Sequence, residues 1–321
     1  MKCSGWMKSR GAVAGIALVT MLTAFAAIGG AQEQGQGQAV ITVLPKHESE
    51  LPANVVNQDL AVKVDGKNSK VTKWAQYPSN GSSLELVVLI DDSARTSLGR
   101  QMDDIAQFLK TLPPNTKASV AYMENGRAVF SGPFTTDHAH VAEELHLPVG
   151  GAGVDSSPYF CLSDLAHKWP SNDAGARREV VMVTNGVDNY QKQFDPDDPY
   201  VQAAIKDSIQ ARMVVYSIYW ADRGGFDATA YANNTGQNLL AEVTQATGGK
   251  SFWQGMGNPV SFAPYFDELM RRFRNQYELG FVTAMKGRPE VESFKLKLSA
   301  PGDEVDAPQQ VLVVPAGPAQ R

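Results

Sequence analysis

Asp91, Asp92 and Ser93 stand at the abrupt end of the apolar run Leu86-Val87-Val88-Leu89-Ile90. Two carboxylates beside a hydroxyl supply oxygen ligands for a hard divalent cation, or a pair of acids for hydrolysis. Further along, a second apolar run, Val180-Val181-Met182-Val183, ends in Thr184-Asn185-Gly186 and then Asp188. Between the two runs, Ser156 and Ser157 precede Pro158. Other reactive types are weaker signals. Gly150 to Gly153 lacks the Lys and the spacing of a phosphate loop. His138 and His140 are two apart at the start of an expected helix, so they do not share a face. Asp195, Asp197 and Asp198 surround Pro196 and Pro199, which reads more simply as a helix cap than as a calcium loop. Cys161 sits among Tyr159, Phe160, Leu162 and Leu165 and reads as a buried apolar residue. No Ser/His/Asp order, zinc motif or nucleophile elbow is present.

The elements that must position these residues follow from the pattern. An uninterrupted short apolar run reads as a strand buried on both faces, which means a central parallel strand. Polar side chains at the C-terminal end of such a strand lie where open α/β sheets place their ligands. From residue 84 strands and helices alternate. Strands are expected at 84–90, 118–123, 180–184 and 213–219, with a turn at 124–127 and an edge strand at 250–253. Helices are expected at 97–112, 136–145, from 158, and at 200–211, 238–247 and 262–276. This predicts an α/β class domain over 84–276 with a doubly wound, mostly parallel sheet. A small β unit at 39–79 precedes it, with a hairpin at Asp65-Gly66. Three strands in 277–315 follow it, and the two β segments are expected to join as a sandwich-like module. Residues 32–38 are rich in Gly and Gln and read as a flexible spacer.

Lys2, Lys8 and Arg10 precede an uncharged apolar stretch from Gly11 to Gly30, the pattern of a secretory signal peptide over 1–31. Cleavage is expected after Ala31, with Ala26 as a second position and an uncleaved anchor as the alternative. No other stretch could span a membrane. Secretion or a periplasmic location follows. The formal net charge of -5 gives no electrostatic case for nucleic acid.

The order of these segments resembles the von Willebrand factor A-related proteins common in acidobacteria. The resemblance is carried by Val88-Leu89-Ile90-Asp91 with Ser93, Met182-Val183-Thr184 with Gly186, Thr247-Gly248-Gly249, and Tyr277 with Leu279-Gly280-Phe281. It covers residues 39 to 315. It implies the metal-ion-dependent adhesion site of that family, here degenerate. Asp91 and Ser93 match its first two ligands, and Arg95 replaces its second serine. Ser156 or Ser157 falls at its threonine, and Asn185 replaces its third-loop aspartate. A cation at about 5 Å in an effective dielectric near 20 opposes each unit of like charge by roughly 3 kcal/mol, so Arg95 disfavours a divalent ion there. The reading is therefore a non-catalytic protein-binding or scaffold protein with no cofactor, using Asp92, Arg95, Ser156 and Asp188 toward a macromolecular partner. The alternative is a weak Mg or Mn ion on Asp91, Ser93, Ser157 and Asn185. A hydrolase using Asp91 and Asp92 ranks below both.

Overall fold

All eight residues of β4 (Leu84–Asp91) are buried, as an apolar run with helices on both sides requires. The computed structural model describes residues 33–45, 55–77, 83–149, 157–173, 175–191, 195, 197–221, 229–285, 287–299 and 303–316. The expected signal segment, the Gly-rich loop 150–153 and Ser156 lie outside them.

β4 pairs in parallel with β5 (Lys117–Glu124) on one side and β7 (Arg177–Thr184) on the other. Beyond them lie β8 (Met213–Tyr219) and the edge strand β9 (Ser251–Phe252), both parallel, and β6 (Arg127–Phe130), antiparallel to β5. The strand order is β6-β5-β4-β7-β8-β9. Alternate strand residues feed two cores. Leu86, Val88 and Ile90 pack toward α1 (Met102–Lys110), α2 (His138–Glu143) and α6 (Ala263–Arg274). Val87 and Leu89 pack toward α3 (Pro158–His167), α4 (Pro199–Gln210) and α5 (Ala230–Thr247). This is the doubly wound, mostly parallel α/β arrangement. Local chemistry sets its punctuation. Asp198 caps α4 by accepting from Tyr200 N at 2.8 Å, and the Asn125-Gly126 turn has both residues at positive φ, as a two-residue hairpin needs. Two boundaries differ by more than a few residues from the sequence reading: a 3-10 helix (Asp92–Arg100) follows Asp91 directly and precedes α1, and α5 begins at Ala230, eight residues before the expected start. The carboxylate of Asp91 accepts from Ser93 N and starts that turn at once.

The remaining strands are antiparallel. β1 (Gln34–Pro45), β2 (Leu60–Val64), β3 (Lys67–Gln76), β10 (Gln276–Ala284), β11 (Glu290–Leu298), β12 (Asp303–Asp306) and β13 (Gln310–Pro315) run in the order β10-β3-β2-β11-β13-β1-β12. β1 also pairs with β10 from Gln34↔Ala284 to Thr42↔Gln276. That pairing closes six strands into a barrel with β12 attached outside, which corrects the expected sandwich. Closure removes the open edges that two stacked sheets would leave. It also corrects the flexible spacer, because residues 34–38 are strand. Gly37 faces inward there, and a Cβ on it would meet the Phe281 ring at 2.4 Å, so the Gly-rich composition serves packing rather than flexibility. Inside the barrel, Ile41, Val43, Leu279, Phe281 and Phe294 form the core.

α6 runs directly into β10, and a polar cluster is buried where the two modules meet. Arg272 is fully buried and bonds Glu268 at 3.0 Å and Asp306 of β12 at 2.6 Å. Glu179 is fully buried beside Arg177, 3.7 Å away. Burial pushes its carboxyl up to about 8, against the opposing pull of Arg177 and Gln276. The folded state thus keeps a proton that the unfolded state releases near the ordinary 4.5. Between those values this group lowers stability by about 1.4 kcal/mol per pH unit as pH rises. Glu179→Gln should flatten that slope and leave the protein more stable than wild type near pH 8, measured by urea unfolding at several pH values. Equal slopes in both proteins would assign the pH dependence elsewhere.

Candidate functional site

The parallel register Ile90↔Val183 sets Asp91 and Thr184 side by side at the C-terminal ends of β4 and β7. Thr184 Oγ1 donates to Asp91 Oδ2 at 2.5 Å, and Ser93 N donates to Asp91 Oδ1 at 2.9 Å. Thr184 Oγ1 also accepts from Gly186 N at 3.1 Å. Burial raises the proton affinity of Asp91, opposed by its hydrogen bonds from Ser93 and Thr184, and the charge of Asp92 adds to the rise. Asn185 Oδ1 accepts from Val187 N at 2.8 Å. Gly186 takes a φ of +68°, and a Cβ there would meet Gly236 O of α5 at 2.5 Å. Only glycine lets this loop and α5 approach so closely.

Ser157 is the N-cap of α3, accepting from Tyr159 N at 3.3 Å. The Tyr159 hydroxyl then donates to Gly186 O at 2.7 Å, tying α3 to the loop after β7. Asp92 Oδ1 accepts from Val149 N at 2.9 Å. Tyr122 anchors the same segment by donating to His146 O and accepting from His146 N. Asp188 Oδ1 accepts from Tyr190 N at 2.8 Å. Burial raises its proton affinity against the pull of Tyr190, Gln191 and Ser157. Asp91, Ser157 and Cys161 line a cavity of about 10 Å³, room for a single water. The thiol of Cys161 is buried and pushed well above its ordinary range by that burial.

The structure thus gathers Asp91, Ser93, Ser157 and Asn185 at one end of the sheet. Both oxygens of Asp91, Oδ1 of Asn185 and Oγ of Ser157 already accept from the chain's own donors. A magnesium ion asks for six oxygens directed at one point. Among the described residues, no three His, Cys, Asp or Glu gather as a metal group. Two of the residues expected to face a partner do not lie on the surface: Asp92 is 3% exposed and Asp188 1%. Their carboxylates are turned inward because backbone N–H groups of adjacent loops need acceptors. Of Arg95 only the backbone is described, and Ser156 lies outside the described residues.

What the sequence reading missed is aromatic. Phe160 of α3, Tyr190 and Tyr200 of α4 pack on one another with ring centroids 5.0 to 5.4 Å apart. Tyr190 is 54% exposed and Tyr200 38%. Their signal was present only as tyrosines near the starts of loops and helices, which spacing along the chain does not bring together.

No protein-family model matches the chain, and no curated protein matches it. Solved structures do match in three dimensions. An aerotolerance-related membrane protein from Bacteroides fragilis NCTC 9343 is 14% identical, with a TM-score of 0.42, over 60% of this chain and 98% of that one. The pilus adhesin SpaC from Lactobacillus rhamnosus GG, in its open conformation, is 8% identical, with a TM-score of 0.41, over 85% of this chain and 49% of that one. The SpRpn10 VWA domain is 9% identical, with a TM-score of 0.37, over 58% of this chain and 95% of that one.

Thr184→Val keeps the shape of a buried side chain but strips Asp91 of a donor and Gly186 of an acceptor. It should cost about 1–3 kcal/mol, seen as a lower unfolding midpoint in urea, while Thr184→Ser should cost much less. A Val variant as stable as wild type would remove the Asp91–Thr184 bond from the supports of this end of the sheet.

Proposed function

We propose that this chain is a secreted or periplasmic, non-catalytic binding protein of the von Willebrand factor A type. It holds a protein partner on the loops at the C-terminal end of its parallel sheet and needs no metal or other cofactor to do so. The observation that carries this reading is the exposed aromatic cluster of Phe160, Tyr190 and Tyr200 over an end of the sheet whose acids are engaged within the chain. Tyrosine supplies large contact area with a polar tip and is enriched where proteins bind one another. Asp91 and Asp92 are buried and bonded to the chain, which speaks against a hydrolytic pair addressing a substrate. The basic and then apolar N-terminal sequence supports export. Among the described residues no helix is long and apolar enough to cross a membrane.

The first experiment is thermal unfolding of residues 32 to 321 in EDTA and then in millimolar Mg²⁺, Mn²⁺ or Ca²⁺. An ion held a hundredfold above its dissociation constant adds about 2.7 kcal/mol, a shift of several degrees. No shift is expected. A rise that vanishes in Asp91→Ala would replace this reading with a metal-dependent adhesion site at Asp91 and Ser93. For the partner surface, Tyr190→Ala combined with Tyr200→Ala should keep the fold and lose at least tenfold in affinity for a protein captured from the cell envelope. Unchanged affinity would move the binding surface away from these rings.

A further inference from the structure

At the opposite end of the sheet, where β7 and β8 begin, a cleft of about 480 Å³ opens between the α/β layer and the outer wall of the barrel. That volume suits a small organic molecule. One wall is formed by outward-facing residues of β1, β10 and β13, and the other by the starts of β7 and β8 and the end of α4. Three cations line it, Lys73, Arg177 and Arg212, against one acid, Glu278. Lys73 pairs with Glu278 at 2.7 Å and Arg177 lies beside Glu179 at 3.7 Å, which leaves Arg212 as the cation turned to the cleft.

The arginines sit at different depths. Arg177 is 6% exposed; its NH1 donates to Phe273 O at 2.9 Å and to Gln276, and its Nε is buried without a hydrogen-bond partner. Arg212 stands at the mouth, where NH1 donates to Gln38 Oε1 of β1 at 3.0 Å and bridges the two modules. Its backbone holds a φ of +58°, a left-handed conformation unfavourable for a side chain other than glycine. This is the left-handed turn that ends α4, and it aims the side chain at the cleft. Between the arginines the lining is apolar, with Val40, Ile209, Met213, Leu312 and Val314. In a chain of net charge -5, a cleft with a local excess of positive charge and low-dielectric walls draws anions.

We infer that this cleft is a binding site for a small amphipathic organic anion, its oxyanion head held by the Arg212 guanidinium and its apolar body lying on Ile209 and Leu312. A guanidinium fork accepts a carboxylate or a phosphate in two parallel hydrogen bonds, so the head group is defined as an oxyanion. The site stands apart from the loops at the other end of the sheet and does not depend on what they bind.

Three probes test it on residues 32 to 321 by calorimetric titration: octanoate, octyl phosphate and inorganic phosphate, with octanol as the uncharged tail. At least one of octanoate and octyl phosphate should bind, the tighter one naming the head group, and octanol and inorganic phosphate should each bind at least tenfold more weakly. Arg212→Gly accepts the left-handed backbone without strain, so it should unfold no earlier than wild type while losing at least tenfold in affinity for the amphipathic anion. Binding of neither amphipathic anion, equal binding by octanol, or equal affinity in Arg212→Gly would overturn the proposal.

Discussion

The structure depends on the double-sided burial of β4. Eight consecutive buried residues leave no face for water, so helices must cover both sides, and the strand can lie only at the centre of its sheet. Its first polar side chain after the apolar run, Asp91, therefore emerges at the carboxyl end among loops rather than at an edge. A carboxylate delivered there by the strand is itself buried, and a buried charge needs donors. Thr184 and the Ser93 amide supply them, and in doing so they fix the 3-10 turn after β4 and the loop after β7.

The same requirement explains why this end of the molecule is rigid in its acids and open in its aromatics. Asp92 holds the chain at Val149, Asp188 holds Tyr190, Asn185 holds Val187, and Ser157 starts α3. Asp188, Asn185 and Ser157 each bond a backbone N–H two residues on, and Asp92 reaches across to a distant loop. What remains for contact with another molecule is the set of side chains that these turns push outward. A metal-dependent site and a site of this kind use the same positions for different ends. In one, the oxygens point at an ion; in the other, they point at the loops.

Much of the α/β domain was legible in the sequence because its signals are local. An unbroken apolar run, an Asn-Gly pair and an Asp just before Pro199 each carry their own physics within a few residues. The place of Asp91 at the end of β4 was legible for the same reason. Its partnership with Thr184 was not, because register between two distant strands sets it. The burial of Asp92 and Asp188 was also hidden, since carboxylates by composition belong to the surface. Barrel closure was the largest omission. Antiparallel pairing of β1 with β10 joins Gln34 to Ala284, and no window of sequence contains both. The residues at 34–38 read as spacer because glycine in an isolated segment means freedom, whereas opposite Phe281 it means room.

The barrel is made of strands from both sides of the α/β domain, with β1, β2 and β3 before it and β10, β11 and β13 after it. Its seam therefore cannot close until the strands after the α/β domain have been made, however far the middle has already folded. Until β10 arrives, β1 and β3 have unpaired edges facing one another's missing neighbour. The strands after the α/β domain thus seal those before it, and a chain interrupted between them displays open strand edges that a folding helper or protease can recognise as unfinished.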